Sequence, residues 1–286
     1  MSEKILVTGA TGKVGQQVVR GLVSQGLEVK AGTRNPEAAK ELFADGVEVV
    51  ELDYNRAETY DAAVQWADRL LLTPPPFAPD AYDLLGSFVD WAVQSGTRHL
   101  VLLSAMGAER VDHLALRKLE RQLEEVGVDH TLLRPNLYMQ NFAPGFLEEE
   151  IRRDSTVSLP AGDAEVSFVD SDDVADVAIA ALLGDEHFGA AYTLTGPETL
   201  TLADATELLS QEVGREIRYR AIGDDEFRAF LTERGWSRGR VDTALGLFAS
   251  IRDGWRAPVS GDVKAVLGRE AGGFQDYARR NRVRWS

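Results

Sequence analysis

The stretch ILVTGATGKVGQQVV, from Ile5 to Val19, places Gly9, Gly12 and Gly15 where a short apolar run meets an amphipathic segment. Glycine at such a bend lets the backbone approach a bulky anion with no Cβ in the way. A helix starting near Lys13 would also turn its free N–H groups and dipole toward that anion. Thr11, Lys13 and Val14 complete the turn, and Lys13 adds a cation. A G-x-x-G-x-x-G turn between a strand and a helix suits pyrophosphate.

A second group of residues would meet the rest of such a ligand. Dinucleotide folds that prefer NAD set an acid roughly 20 residues beyond the glycines to bind the ribose 2′-hydroxyl. Here AGTRNPE puts Thr33 and Arg34 in that place. A guanidinium offers a planar fork to a 2′-phosphate, so NADP(H) is expected over NADH; the alternative for Arg34 is a solvated residue ahead of a helix. Asp53 could accept from an adenine amino group with Tyr54 beside the base, or Asp53 could cap the next helix. Thr73, Pro74 and Pro75 should run along the cofactor near its pyrophosphate and nicotinamide ribose. Pro135 and Asn136 close another apolar run at the same expected edge, with Tyr138 and Phe142 as candidates for the substrate side.

To converge, these residues need a parallel sheet. The first half alternates strands with helices: KILVTG, a helix from Lys13 to Gln25, LEVKAGT, a helix to about Ala44, VEVVELD, a helix from Ala57 to Ala67, and RLLLTPPP. A helix from Asp80 to Ser95, HLVLLSAMG, a helix from His113 to Val126 and HTLLRP follow. The expected fold class is α/β, a Rossmann-type doubly wound parallel sheet with a smaller, mostly helical C-terminal substrate region. Residues 1–142 and about 164–200 should form the first domain, with EVSFV and AAYTLTG returning to its sheet as strands. Residues 143–163 and 201–286 should form the second, in which Phe227, Phe230, Trp236, Phe248 and Trp255 are expected to supply core, the alternative being that some of them line an apolar substrate pocket. The stretch Arg252 to Asp262 reads as a surface loop.

Composition narrows the function classes. The 286 residues carry 46 acidic against 31 basic groups, a net charge of −15, which disfavours nucleic acid and anionic membranes as partners. The chain has no cysteine, so redox chemistry must come from a cofactor. Its four histidines are scattered, and DSDDVADVA suits a helix N-terminus better than a metal site, so no metal is expected. No long apolar run or signal-like start is present, and a cytoplasmic monomer or homodimer is expected.

VTGATGKVG, TRNP, LDY, LLLTPP, TLLRPNLYMQNF, DVADVAIAALL and YTLTGPETLTLADATELL together resemble the NmrA-like family of atypical short-chain dehydrogenases, up to about Gly223. The resemblance implies a Rossmann fold with NADP(H). It implies either a reductase of quinones, dyes, phenolic ethers or iminium intermediates, or a noncatalytic redox sensor. Typical short-chain dehydrogenases act through Ser and Y-x-x-x-K, the tyrosine giving a proton. Ser104 and Lys118 stand in the expected places, but four residues before Lys118 is Leu114, which transfers no proton. His113 is the nearest titratable replacement, although a histidine at the start of a helix is more often a solvated or capping residue. Lys118 belongs to RKLERQLEE, which also reads as a solvated charged face, and Glu120 of that run is expected to orient the helix. The expected function is transfer of hydride from NADPH to an apolar or aromatic acceptor, such as a quinone or an iminium, whose own electron demand replaces a protein acid. A sensor, or an isomerase or cyclase using the cofactor as a scaffold, is the alternative.

Overall fold

The computed structural model describes residues 3–43 and 47–286. The end of the expected second helix, at Ala44, lies outside those residues. The chain starts with β1 (Lys4–Thr8), α1 (Lys13–Ser24), β2 (Glu28–Thr33), α2 (Pro36–Lys40), β3 (Glu48–Glu51), α3 (Tyr60–Val64) and β4 (Arg69–Leu72). It continues with α4 (Ala81–Gln94), β5 (His99–Leu103), α5 (Ala115–Glu125) and β6 (Asp129–Pro135). Then come α6 (Phe146–Asp154), β7 (Thr156–Leu159), α7 (Ser171–Leu183) and β8 (Ala191–Leu194). The last elements are α8 (Leu202–Val213), β9 (Arg218–Ala221), α9 (Asp224–Glu233), α10 (Arg238–Arg252), α11 (Asp262–Leu267) and α12 (Phe274–Asn281).

The main sheet has the order β3-β2-β1-β4-β5-β6-β8, with parallel pairing from β3 through β6. Val7 stands opposite both Ala31 and Leu71, so the order of strands reverses at β1 and β4, the place where α/β folds bind nucleotides. Ile5, Leu6, Val7, Leu70, Leu71 and Leu72 have no exposed surface, which is why these strands read as unbroken apolar runs. Among the helices, α1 buries Val14, Val18, Val19 and Leu22, a stripe at helical spacing. Asn35 caps α2 by accepting from the Ala38 N–H, with Pro36 in the first turn.

Three expected helices are shorter than their apolar periods, α2 among them, which ends at Lys40 with Glu41 as its C-cap. Ala57–Thr59 is a 3₁₀ turn ahead of α3, because Thr59 Oγ1 donates to the Arg56 carbonyl at 2.7 Å and tightens the bend. α5 begins at Ala115, not His113, with the extended Leu114 as its N-cap.

By contacts the chain divides into two units, residues 1–76, 80–134 and 174–193 in the first, and 77–79, 135–173 and 194–286 in the second. The crossings fall earlier than residues 142 and 200, and residues 77–79 join the second unit. Asn136 explains the first shift. Its backbone N–H donates to the Leu194 carbonyl, and its side chain donates to the Ser167 and Arg256 carbonyls, all within the second unit. EVSFV is not a strand of the main sheet: Val166 and Val169 form isolated bridges to Leu200 and Tyr138. Residues 252–262 are likewise pinned, since Ser167 Oγ donates to the Pro258 carbonyl and the Ser260 N–H donates to Thr195 Oγ1.

The second unit has its own core. Phe142, Phe168 and Phe274 meet edge to face or tilted, at 5.1 to 5.8 Å between ring centres. The buried Trp285 indole donates to the Phe142 carbonyl at 2.9 Å. β7 and β9 form a small parallel pair beside it. The acidic run has a structural use: buried Asp170 accepts from the Asp172 N–H and pairs with Arg280, while buried Asp173 pairs with Arg269 and accepts from the Gly272 N–H. No helix among the described residues is long and apolar enough to cross a membrane.

Candidate functional site

Thr8, Thr33, Thr73 and Ser104 stand at or just past the carboxyl ends of β1, β2, β4 and β5, so the parallel register collects them on one edge of the first unit. Thr8 locks two of those ends together. Its hydroxyl donates to the Leu71 carbonyl at 2.9 Å and accepts from the Thr73 N–H at 2.8 Å. The turn after β1 is thereby held against the end of β4.

Within the turn each glycine has a different reason. Gly9 sits at φ +59°, and a Cβ there would lie 3.0 Å from the Thr73 side chain. At Gly15 a Cβ would lie 2.4 Å from the Gly9 carbonyl oxygen and 2.9 Å from the Ala10 Cα, both backbone atoms. Gly12, by contrast, is exposed and is the N-cap of α1, with no side chain to occupy the helix's first donors. Thr11 and Val14 flank it, Thr11 half-buried with its carbonyl accepting from Gln16 Nε2, and Val14 packed inward. The Thr73 hydroxyl oxygen is buried beside this turn without a partner. Lys13 is exposed as a residue, yet desolvation around its ammonium lowers its pKa to about 8. Arg34 is exposed and makes no hydrogen bond or ion pair with any described residue. Thr33 accepts from the Asn35 N–H and shapes the strand end that presents Arg34. A capless helix start, an orphaned hydroxyl, a desolvated ammonium and an unpaired guanidinium fit a phosphorylated dinucleotide.

Other candidates have different settings from those expected. The Asp53 carboxylate accepts from the Asn55 N–H at 3.0 Å, a turn-closing bond rather than a helix cap. Tyr54 does not offer a free ring for adenine: it packs 5.3 Å from the Phe88 ring with its hydroxyl 3.5 Å from the Thr73 carbonyl, and burial pushes its phenol pKa up. Pro74 and Pro75 are half-buried just past β4. Pro135 and Asn136 are buried in the second unit, where the Asn136 amide nitrogen donates to Ser167 and Arg256 while its Oδ1 is buried without a partner among the described residues. Phe142 is a core ring, 1% exposed, and not a pocket wall. Tyr138 is half-buried, and burial raises its pKa.

The expected catalytic trio differs in setting. His113 is exposed in the turn before α5, and Lys118 is exposed with its ammonium 5.9 Å from the Tyr82 ring centre. Ser104 is buried and donates its proton to Glu120 Oε1 at 2.6 Å. Glu120 has no exposed surface, against the reading of its run as a solvated face, and it receives both Arg134 Nε and Nη2 at 2.9 Å and Arg117 Nη1 at 2.9 Å. Burial pushes the Glu120 carboxyl up, but the bonds from Arg134, Ser104 and Arg117 outweigh it and hold the pKa below the usual carboxylate value. The Ser104 hydroxyl is therefore an acceptor toward any ligand, its proton being committed to an ionised carboxylate. Sequence reasoning missed Arg134 as the partner; a lone acid in register with Leu119 and Leu123 on the buried side of α5 was the available signal.

Comparison with known proteins places these features among relatives. The NmrA-like family profile matches residues 1–235. A (4-alkanoyl-5-oxo-2,5-dihydrofuran-3-yl)methyl phosphate reductase of Streptomyces griseus is 36% identical over 283 residues, covering 96% of each chain. An NAD(P)H azoreductase of Xenophilus azovorans is 31% identical over 279 residues, again covering 96% of each chain. The triphenylmethane reductase of Citrobacter sp., solved with NADP(H), superposes with a TM-score of 0.82 at 23% identity over 97% of this chain and 99% of that one, a likeness of fold.

Proposed function

Because the chain belongs to the NmrA-like family, we propose that it is an NADPH-dependent reductase that passes hydride to an apolar, electron-poor acceptor. The observation that carries this reading is the Ser104–Glu120 bond of 2.6 Å in a site with Leu114, 39% exposed, where a proton-donating tyrosine would stand. Such a site joins a glycine turn to a serine whose proton goes to Glu120 and to a leucine in the tyrosine's place.

Reduced nicotinamide supplies the hydride when bound. The residues of this chain then hold and orient: Gly9, Gly12, Gly15 and the start of α1 take the pyrophosphate, Lys13 and Arg34 meet phosphate charge, and Ser104 accepts from a donor group of the ligand. An acceptor that draws electron density to its own oxygens or nitrogen takes the hydride without prior protonation. The proton that a quinone, conjugated lactone or azo compound takes afterwards comes from water, and an iminium ion needs none. Quinones, iminium ions and lactones with a carbonyl-conjugated double bond all meet that condition, as do azo compounds with withdrawing substituents.

The test is NADPH oxidation with menadione, a cyclic iminium and a conjugated butenolide, for wild type, Ser104→Ala and Glu120→Ala. Ser104→Ala should keep turnover within about threefold, whereas loss of a general acid costs about a hundredfold or more. Glu120→Ala leaves the half-buried Arg134 guanidinium with only its 3.6 Å pairing to Glu109 and should lower stability by about 3 kcal/mol, read as a lower melting temperature. Tight NADPH binding with every acceptor inert would replace the reductase reading with that of a sensor.

Lys13 adds a pH signature. Its ammonium is charged below about pH 8 and neutral above, so phosphate should hold the charged form and binding should draw in a proton above that pH. NADPH affinity is expected to be flat from pH 6.5 to 7.5 and to fall as pH rises through about 8 to 9, a slope absent in Lys13→Met; titrations at each pH read it directly.

A further inference from the structure

The second unit holds a half-buried arginine whose guanidinium has no oxygen partner among the described residues. Among the described residues the buried or half-buried arginines are Arg69, Arg117, Arg134, Arg215, Arg240 and Arg256. Five of them donate from the guanidinium to an oxygen: Arg69 to the Leu182 carbonyl, Arg117 and Arg134 to Glu120, Arg215 to the Trp285 carbonyl, and Arg256 to Ser250 Oγ. Arg240 is the exception. Its guanidinium lies 4.3 Å from the centre of the Trp236 ring and meets no acceptor among the described residues, in a chain with 46 acids against 31 bases. The five donors of a half-buried fork are thus left for something else.

Its surroundings are apolar and flat. The Phe77 ring sits 5.3 Å from the Trp236 ring, and the Phe77 backbone is held at φ +58°, a left-handed conformation rare for an aromatic residue. Residues 77–79 keep that shape while packed on the first turn of α10, where a Cβ on Gly239 would come 2.9 Å from Pro79 Cγ. Phe77 follows Thr73 by only four residues in the chain. Local strain kept at such a position is found where a surface is shaped for a ligand.

We infer that Phe77, Trp236 and Arg240 form a substrate subsite for an acceptor whose planar apolar body carries an oxyanion, the aromatic pair taking the body and the Arg240 fork taking a phosphomonoester. A phosphate presents several oxygens to a guanidinium and binds it through two parallel bonds, which a neutral hydroxyl does not match. The inference rests on the reductase reading for its turnover arm, and a binding arm separates the two.

The experiment uses a matched pair, a 4-alkanoyl-5-oxo-2,5-dihydrofuran bearing a methyl phosphate at its 3-position and the corresponding free alcohol. With wild type, kcat/KM should favour the phosphate by about tenfold or more, the scale of a charge-assisted bidentate contact. Arg240→Gln should remove that preference by lowering kcat/KM for the phosphate, with the Kd for NADPH unchanged, and Arg240→Lys should retain part of it. Equal preference in wild type and Arg240→Gln overturns the subsite. If neither compound is reduced, the reductase reading fails, and titration of both into the NADP⁺ complex by calorimetry still decides the subsite. Binding of the phosphate about tenfold tighter than the alcohol in wild type, and equal in Arg240→Gln, supports it; no difference in wild type overturns it.

Discussion

Gly15→Ala is expected to weaken NADPH binding about tenfold to a hundredfold, the range that overpacking a rigid site commonly produces. The added methyl would stand 2.4 Å from the Gly9 carbonyl oxygen and 3.0 Å from the Gly9 carbonyl carbon. Neither atom belongs to a flexible side chain, so relief requires α1 to move away from the turn. That movement carries off the helix N–H groups that the phosphate reading depends on. Melting temperature should fall as well, since Gly15 is buried and α1 packs through Val14, Val18 and Leu22 on the same side. Gly12→Ala makes the control. Its Cβ would meet only the Gly9 oxygen at 3.2 Å, and its φ of −79° suits any residue, so stability should hold while binding weakens through a methyl placed toward the ligand. Fluorescence titration with NADPH and a thermal melt on both variants separate the two effects. Wild-type affinity in Gly15→Ala would mean that the turn does not carry the phosphates.

Arg34→Ala should lower NADPH affinity about tenfold to a hundredfold, corresponding to roughly 1.5–3 kcal/mol for hydrogen bonds to a charged group, and leave NADH affinity unchanged. The reason lies in what surrounds Arg34. It is exposed and pairs with no described residue, so its replacement disturbs no internal contact, and Asn35 keeps its cap on α2 by accepting from Ala38. Only a ligand with a 2′-phosphate should register the loss. Paired titrations with the two nucleotides measure it, and a parallel loss of NADH affinity would assign Arg34 to general packing. Arg34→Glu should go further and favour NADH, because a carboxylate accepts from a ribose 2′-hydroxyl and repels a phosphate.

The parallel sheet and its glycine turn were legible because their signals are local. Unbroken apolar runs such as ILV and LLL report strands covered on both faces, and prolines after Leu72 mark where the ladder must stop. The position of Arg34 followed from its count beyond the glycines, since one βα unit sets that distance whatever else the chain does. Buried polar partners were not legible, because they are chosen across long separations. Ser104 finds Glu120 on one element and Glu120 finds Arg134 on another, and Asn136 finds Arg256 across 120 residues. Tyr54 and Phe142 look like ring surfaces for a ligand in a string of letters, and only packing turns one toward Phe88 and the other into a core with Phe168 and Phe274. The sequence by itself therefore determined the strand order's local units, the glycine turn and the missing tyrosine. Tertiary structure alone decided which hydroxyl kept its proton and which arginine stayed unpaired, since a side chain's chemistry depends on the groups that burial brings within hydrogen-bond reach.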